Sequence, residues 1–310
     1  MSKRAIIFSG QGAQFVGMGK DLADAFPACK ALYDKADEVL GYSLSKICFE
    51  GPAEELTKSN HCQPAIFVTS IACYTALKES IPGLEVSMMA GLSLGEWSAL
   101  HASGALSFED TLRVLETRGR AMQEACDEKD GSMVSVIGLN MDQLAEICEA
   151  TGVEMANLNS EAQTVLSGER ANIEKAAAMA TELGAKRAIV LQVAGAFHSS
   201  LMASATPKLE AVLSSVDVKA PGIPVVANVT GQPHGDAESI RAEMLKQVTG
   251  SVHWYESIHA MTAAGVGEFI ECGPGAVLTG LIKRIAERGT PLYNIQDVDT
   301  LEKTVAALAG

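Results

Sequence analysis

The hydrophobic and polar positions of the chain change rhythm three times in the same way. A short apolar run at residues 5–8 stops at Ser9-Gly10-Gln11-Gly12, and beyond it apolar residues recur at helical spacing through Leu22, Phe26 and Leu32. Met88, Met89 and Ala90 lead into Gly91-Leu92-Ser93-Leu94-Gly95 and then a helical stretch over 96–100. Phe269 and Ile270 lead into Cys272-Gly273-Pro274-Gly275 and a further helical stretch over 276–281. Three strand–glycine turn–helix units predict a parallel α/β sheet whose loops gather at the C-terminal edge of its strands.

The middle of the chain has a different order. It reads as a strand over 133–139, a helix over 142–150, two successive strands over 153–158 and 163–166, a helix over 171–183 and a strand over 186–193. That β-α-β-β-α-β sequence is the split-βαβ, ferredoxin-like pattern. The predicted organisation is a discontinuous α/β domain, residues 1–126 and 194–310, interrupted by a small ferredoxin-like subdomain at 127–193. The crevice between them is then the default place for a small ligand. Residues 221–235 read as a loop around a short strand at 225–227.

Composition narrows the function classes. With 24 Lys and Arg against 38 Asp and Glu, the 310-residue chain carries a formal charge of −14, which argues against nucleic-acid binding. No apolar run reaches the ~18 residues of a membrane span, and the segment Met1-Ser2-Lys3-Arg4 gives way to Gly and Gln too soon for a signal peptide. Seven scattered cysteines without a C-x-x-C pair read as reduced thiols, and the six histidines show no metal-ligand spacing. The expectation is a cytoplasmic protein without a metal.

The candidate chemistry centres on Gly91-x-Ser93-x-Gly95. Between a strand and a helix this pattern is a nucleophile elbow: glycines allow a turn sharp enough to expose the serine, and the N–H of Leu94 points at the oxygen that develops charge. A serine needs a base. His198, in Gly195-Ala196-Phe197-His198-Ser199, lies where the chain re-enters the crevice, with His101 and His253 equally open on position alone. No carboxylate stands near His198 in sequence to complete a triad. The Gly10-Gln11-Gly12 turn offers further N–H groups for an oxyanion hole. It does not fit the dinucleotide fingerprint, because Phe15 occupies the third glycine position. Arg118 sits on a helix starting near Phe108, and both a solvated charge and a buried guanidinium fit; Gly119 next to it permits close packing.

Taken together, these residues resemble the malonyl-CoA:acyl carrier protein transacylases of the standalone bacterial kind. The shared motifs run along essentially the whole chain: Gly10-Gln11-Gly12-Ala13-Gln14, Gly51-Pro52-Ala53-Glu54-Glu55-Leu56, Gln63-Pro64-Ala65, Gly91-Leu92-Ser93-Leu94-Gly95-Glu96, Arg118-Gly119-Arg120-Ala121-Met122-Gln123, Asn157-Leu158-Asn159-Ser160, Phe197-His198-Ser199, Asn228-Val229-Thr230-Gly231 and Gly273-Pro274-Gly275. The resemblance implies an α/β-hydrolase-like core and a ping-pong malonyl transfer from malonyl-CoA to the phosphopantetheine thiol of acyl carrier protein, in fatty acid synthesis. It implies Ser93 as nucleophile, His198 as base, the N–H groups of Gln11 and Leu94 as oxyanion hole, and a backbone carbonyl near Gln247 orienting the imidazole. Arg118 would grip the malonyl carboxylate, with Gln63 in the pocket and the Phe197 ring excluding an α-methyl branch. No resident cofactor is implied, since coenzyme A is the substrate's carrier and phosphopantetheine the partner's. Leu92 departs from the family, which usually has histidine there; leucine removes any hydrogen-bond tuning by that side chain.

The other readings are an acyltransferase serving a polyketide synthase, a serine hydrolase, and a catalytically silent binding module. Carrier proteins are themselves acidic, so docking on a chain of charge −14 needs a local basic patch. Lys186-Arg187 and Lys283-Arg284 are the candidates, each equally consistent with an ordinary solvated face.

Overall fold

The computed structural model describes residues 3–309; Met1 and Ser2, in the segment assessed for a leader, and Gly310 lie outside the described residues. The strands are, in chain order, β1 (Lys3–Phe8), β2 (Met88–Gly91), β3 (Gly131–Ile137), β4 (Glu154–Ser160), β5 (Gln163–Glu169), β6 (Arg187–Val190), β7 (Val266–Cys272) and β8 (Leu292–Ile295). They form a parallel sheet of order β2-β1-β7-β8 and an antiparallel sheet of order β4-β5-β3-β6, with helices packed on both.

In the parallel sheet, the apolar run Ala5–Phe8 is buried on both faces, as expected of a strand covered by helices on each side. Its register sets Phe8 beside Gly91 of β2 and Cys272 of β7, so the three glycine turns emerge side by side. The helix Ser59–Ser80 is buried around nearly its whole circumference, which explains its lack of an amphipathic pattern. Against it lies the helix Phe108–Glu128. The two approach closely at Gly119, where an added Cβ would stand 2.2 Å from the Ser59 carbonyl oxygen.

The antiparallel sheet alternates with period two. Val134, Val136 and Leu166 join the helices Met141–Thr151 and Arg170–Glu182 in a small core of their own, while Met133, Ala156 and Val165 join the main core. The antiparallel sheet is also tied by backbone to the segment that precedes the helix Trp254–Ala263: Leu158 donates to Val252 (2.9 Å) and Val252 to Ala156 (2.8 Å).

Three features differ from the expectation. The short strand expected at 225–227 is only two isolated bridges, Met89 with Val225 and Val226 with Pro233. The last strand of the middle region ends at Val190, not residue 193. The chain leaves the sheet there because it must turn back toward the parallel sheet at Gly195, whose Cα sits so close to Cys126 that a Cβ would lie 2.3 Å from its Sγ. The pattern does not predict β8; it is three half-buried residues and the buried Ile295, without a glycine turn of its own, and is defined by pairing with β7.

Candidate active site

Ser93 stands between β2 and the helix Leu94–Ala102 at φ 54° and ψ −105°, a left-handed conformation that costs a non-glycine residue roughly 1–3 kcal/mol. The flanking glycines explain how the corner is built. A Cβ on Gly91 would fall 2.0 Å from the Gly95 carbonyl carbon, and one on Gly95 would fall 2.2 Å from the Phe8 carbonyl oxygen. Asn228 clamps the corner: its Oδ1 accepts from the Ser93 N–H (2.6 Å) and its Nδ2 donates to the Gly91 carbonyl (2.8 Å). The strained conformation is thus held by two bonds from one buried amide.

His198 meets this serine across 105 positions of sequence, with Nε2 2.8 Å from Ser93 Oγ. It too has a positive φ, 57°. Its Nδ1 lies 2.9 Å from the Gln247 backbone carbonyl, which can only accept. Nδ1 therefore carries the hydrogen, and Nε2 presents a lone pair to the serine hydroxyl. Burial and then the charge of Arg118 lower the imidazole pKa to about 4, so it is neutral and able to take a proton at neutral pH. Among the described residues no carboxylate takes the place missing from the sequence around His198; the Gln247 carbonyl stands there. His101 instead bonds the Leu106 carbonyl (3.0 Å), and His253 precedes the helix Trp254–Ala263, 3.7 Å from Glu256.

Arg118 is 1% exposed, brought inside by the close approach at Gly119. Nη1 donates to Gln63 Oε1 (2.7 Å), and Nη2 donates to Ser93 Oγ (3.1 Å) and to Gln247 Oε1 (3.0 Å). Among the described residues its Nε has no partner. Burial lowers its pKa to about 10, which still leaves it charged at neutral pH. The Ser93 hydroxyl can accept from this guanidinium while donating to His198, an arrangement that favours loss of its proton.

The remaining sequence candidates surround this centre. Ser93, His198, Gln11, Leu92 and Phe197 line a cleft of about 240 Å³ between the two sheets, whose other wall includes Met133 and Val165. Leu94 begins its helix, so its N–H has no intrahelical partner. Gln11 lies in the turn packed on the elbow, where a Cβ on Gly10 would stand 2.7 Å from the Leu92 carbonyl oxygen. Gln63 is fully buried and touches Arg118 and, at 3.3 Å, the Gln11 side chain. Lys186, Arg187 and Arg284 line one surface depression, with Arg284, just after the helix Val277–Ile282, donating to Gln163 of β5 (3.0 Å).

Three features were not singled out from the sequence: Asn228 as clamp, the Gln247 side chain, and Glu96. Glu96 is fully buried; its Oε2 accepts from Gln247 Nε2 (2.6 Å) and the Asn228 N–H (3.1 Å), and its Oε1 lies 2.8 Å from His234 Nε2. In sequence it looks like an ordinary acid of a first helical turn. Only its position directly after the elbow hints otherwise.

Comparison with known proteins agrees with this geometry. A family model described as acyl transferase domain matches residues 5–307. The malonyl CoA-acyl carrier protein transacylase of Bacillus subtilis (strain 168) is 43% identical over 99% of this chain and 98% of its own length. That of Escherichia coli (strain K12) is 40% identical over 93% and 94%. Among solved structures, the acyl-carrier-protein-S-malonyltransferase of Bartonella henselae superposes with a TM-score of 0.93 at 39% identity, covering 99% of this chain and 100% of the other. PlMCAT, a malonyl-transacylase in complex with the type II PKS acyl-carrier protein AntF, gives 0.94 at 38% identity, covering 99% and 100%. The chain belongs to the acyl transferase family and, within it, to the malonyl CoA-acyl carrier protein transacylases.

Proposed function

We propose that this protein transfers a malonyl group from malonyl-CoA to the phosphopantetheine thiol of an acyl carrier protein, in type II fatty acid synthesis. One observation carries the reading: a buried arginine and a neutral histidine converge on the same strained serine hydroxyl. In the first half-reaction, Ser93 Oγ attacks the thioester carbonyl while His198 Nε2 takes its proton. The N–H groups of Gln11 and Leu94 receive the oxyanion, each such donor typically lowering a barrier by ~3 kcal/mol. Collapse breaks the C–S bond, and His198 returns the proton to the departing thiolate of coenzyme A. In the second, the carrier's thiol gives its proton to His198 and attacks the malonyl-serine ester; collapse breaks the ester C–O bond, and His198 returns the proton to Ser93 Oγ.

Arg118 supplies the planar fork that a terminal carboxylate needs, and burial strengthens that contact. Phe197 narrows the cleft beside the acyl group, and Gln63 holds one arm of Arg118. No resident cofactor takes part. Lys186-Arg187 and Lys283-Arg284 form the face toward which an acidic carrier would be drawn, and the protein acts in the cytoplasm. The β-α-β-β-α-β order and strand arrangement β4-β5-β3-β6 support a ferredoxin-like subdomain at 127–193 within an α/β-hydrolase-like domain of residues 1–126 and 194–310.

The test is intact-protein mass after exposure to malonyl-CoA, followed by addition of phosphopantetheinylated carrier protein. The wild type gains one malonyl group and loses it to the carrier; Ser93→Ala gains none, and its transfer rate falls by about 10⁴-fold or more. Equal rates of coenzyme A release with and without carrier would show a hydrolase instead.

A further inference from the structure

Gln247 reaches the site twice. Its backbone carbonyl holds His198, and its side chain does something separate. The side-chain Nε2 donates to the Ser93 carbonyl (2.9 Å) and to Glu96 Oε2 (2.6 Å), while Oε1 accepts from Arg118 Nη2 (3.0 Å). With both amide hydrogens committed to acceptors, the oxygen has to face the guanidinium. A flipped amide would set its NH₂ against Arg118 and its oxygen against two other oxygens, losing all three bonds.

Glu96 makes that orientation the only satisfied one. It is fully buried and takes a second hydrogen bond from the Asn228 N–H. Behind it stands His234, with Nε2 2.8 Å from Glu96 Oε1 and Nδ1 paired with Glu243, which reaches the surface. Basic and acidic side chains therefore alternate from the cleft outward: Arg118, Glu96, His234, Glu243. Burial alone would lower the His234 pKa, but the two carboxylates outweigh it and raise it. Arg118, for its part, has only Gln63 Oε1, Gln247 Oε1 and the reactive Ser93 Oγ as acceptors among the described residues, and its Nε has none. Two fixed acceptors define where the fork lies; with one removed, the guanidinium is free to pivot about the other and onto Ser93.

We infer that the Gln247 side-chain amide, oriented by Glu96 with His234 and Glu243 behind it, is a positioning element that aims Arg118 and so sets the preference for acyl groups ending in a carboxylate. This rests on the malonyl-transfer reading above. It separates two duties within one residue: the main chain serves the base, and the side chain serves the carboxylate receptor.

The experiment measures kcat/KM for malonyl-CoA and for acetyl-CoA with phosphopantetheinylated carrier protein, using full-length variants. Gln247→Met keeps the carbonyl on His198 and deletes the amide. The malonyl-to-acetyl ratio is expected to fall about tenfold or more, the size of a lost charged hydrogen bond. Glu96→Gln, which can still present oxygen to Gln247 and Asn228, is expected to keep the ratio within about threefold of wild type. Glu96→Leu, which cannot, moves it in the direction of Gln247→Met; if Glu96→Leu does not fold, Gln247→Met decides. A ratio in Gln247→Met within about threefold of wild type, whether from parallel losses or none, overturns the inference. Wild-type protein run alongside keeps the two readings apart: if it shows no malonyl preference, the proposed function itself falls.

Discussion

The two walls of the cleft are made differently. On the parallel-sheet side, Ser93 opens onto the cleft, and behind it Arg118, Gln63, Gln247, Asn228 and Glu96 form a continuous buried network in which nearly every polar group has a partner. On the antiparallel-sheet side, Met133 and Val165 face the same space with apolar side chains, Leu191 and Phe197 continue that surface, and Asn157 and Gln192 are its polar members. The first wall suits chemistry, because a proton transfer needs donors and acceptors fixed to within a few tenths of an ångström, and a buried network enforces that. The second suits selection by shape, because apolar contacts are indifferent to direction and sensitive to volume. His198 sits where the two meet, delivered by the segment that leaves β6.

That division is open to direct attack. The largest expected effect comes from the polar wall. Arg118→Ala should lower the malonyl-to-acetyl ratio of kcat/KM by roughly 30–100-fold, as loss of a charge-assisted pair would, on top of a loss common to both donors from its bond to Ser93 Oγ; equal losses for the two donors in a competition assay would remove Arg118 from the carboxylate role. The base comes next. With its pKa at about 4 rather than the ordinary 6.5, His198 stays neutral as the solution is acidified, so the acid limb of kcat/KM should lie near 4. At about pH 5.5 activity should then remain close to its plateau, where a base of ordinary pKa would have lost about tenfold. Replacing Arg118 removes the second cause of the shift, and the limb should move upward. The smallest effect belongs to the apolar wall: Phe197→Ala should leave malonyl transfer within several-fold and raise the share of methylmalonyl-CoA accepted by about tenfold, the usual worth of one methyl group in a pocket. A loss of malonyl turnover as large as that of Arg118→Ala would mean the two walls are not separable.

How much of this was legible beforehand follows from range. The elbow is a local object: Gly91 and Gly95 are demanded by contacts within the turn and with the neighbouring strand β1, so the pattern G-x-S-x-G announces it. The parallel sheet was legible from its repeated glycine turns, and the antiparallel unit from the order of its elements. β8 was not, because its four residues, three half-buried and one buried, show no alternation of their own. Nor could residue 193 be recognised as lying beyond its strand, since the chain's exit at Val190 is set by where Gly195 must pack.

The sequence by itself determined the serine corner, the kind of sheet that supports it, and the set of polar residues available, because steric and propensity rules act over a few neighbouring residues. Which of three histidines reaches the hydroxyl, whether Arg118 is buried or solvated, and what replaces the acid are open from local pattern; the family resemblance implies His198 and a carbonyl near Gln247, and the tertiary structure is what brings them together. A backbone oxygen has no side-chain signature, and partners separated by more than a hundred positions are chosen only when the core closes around them.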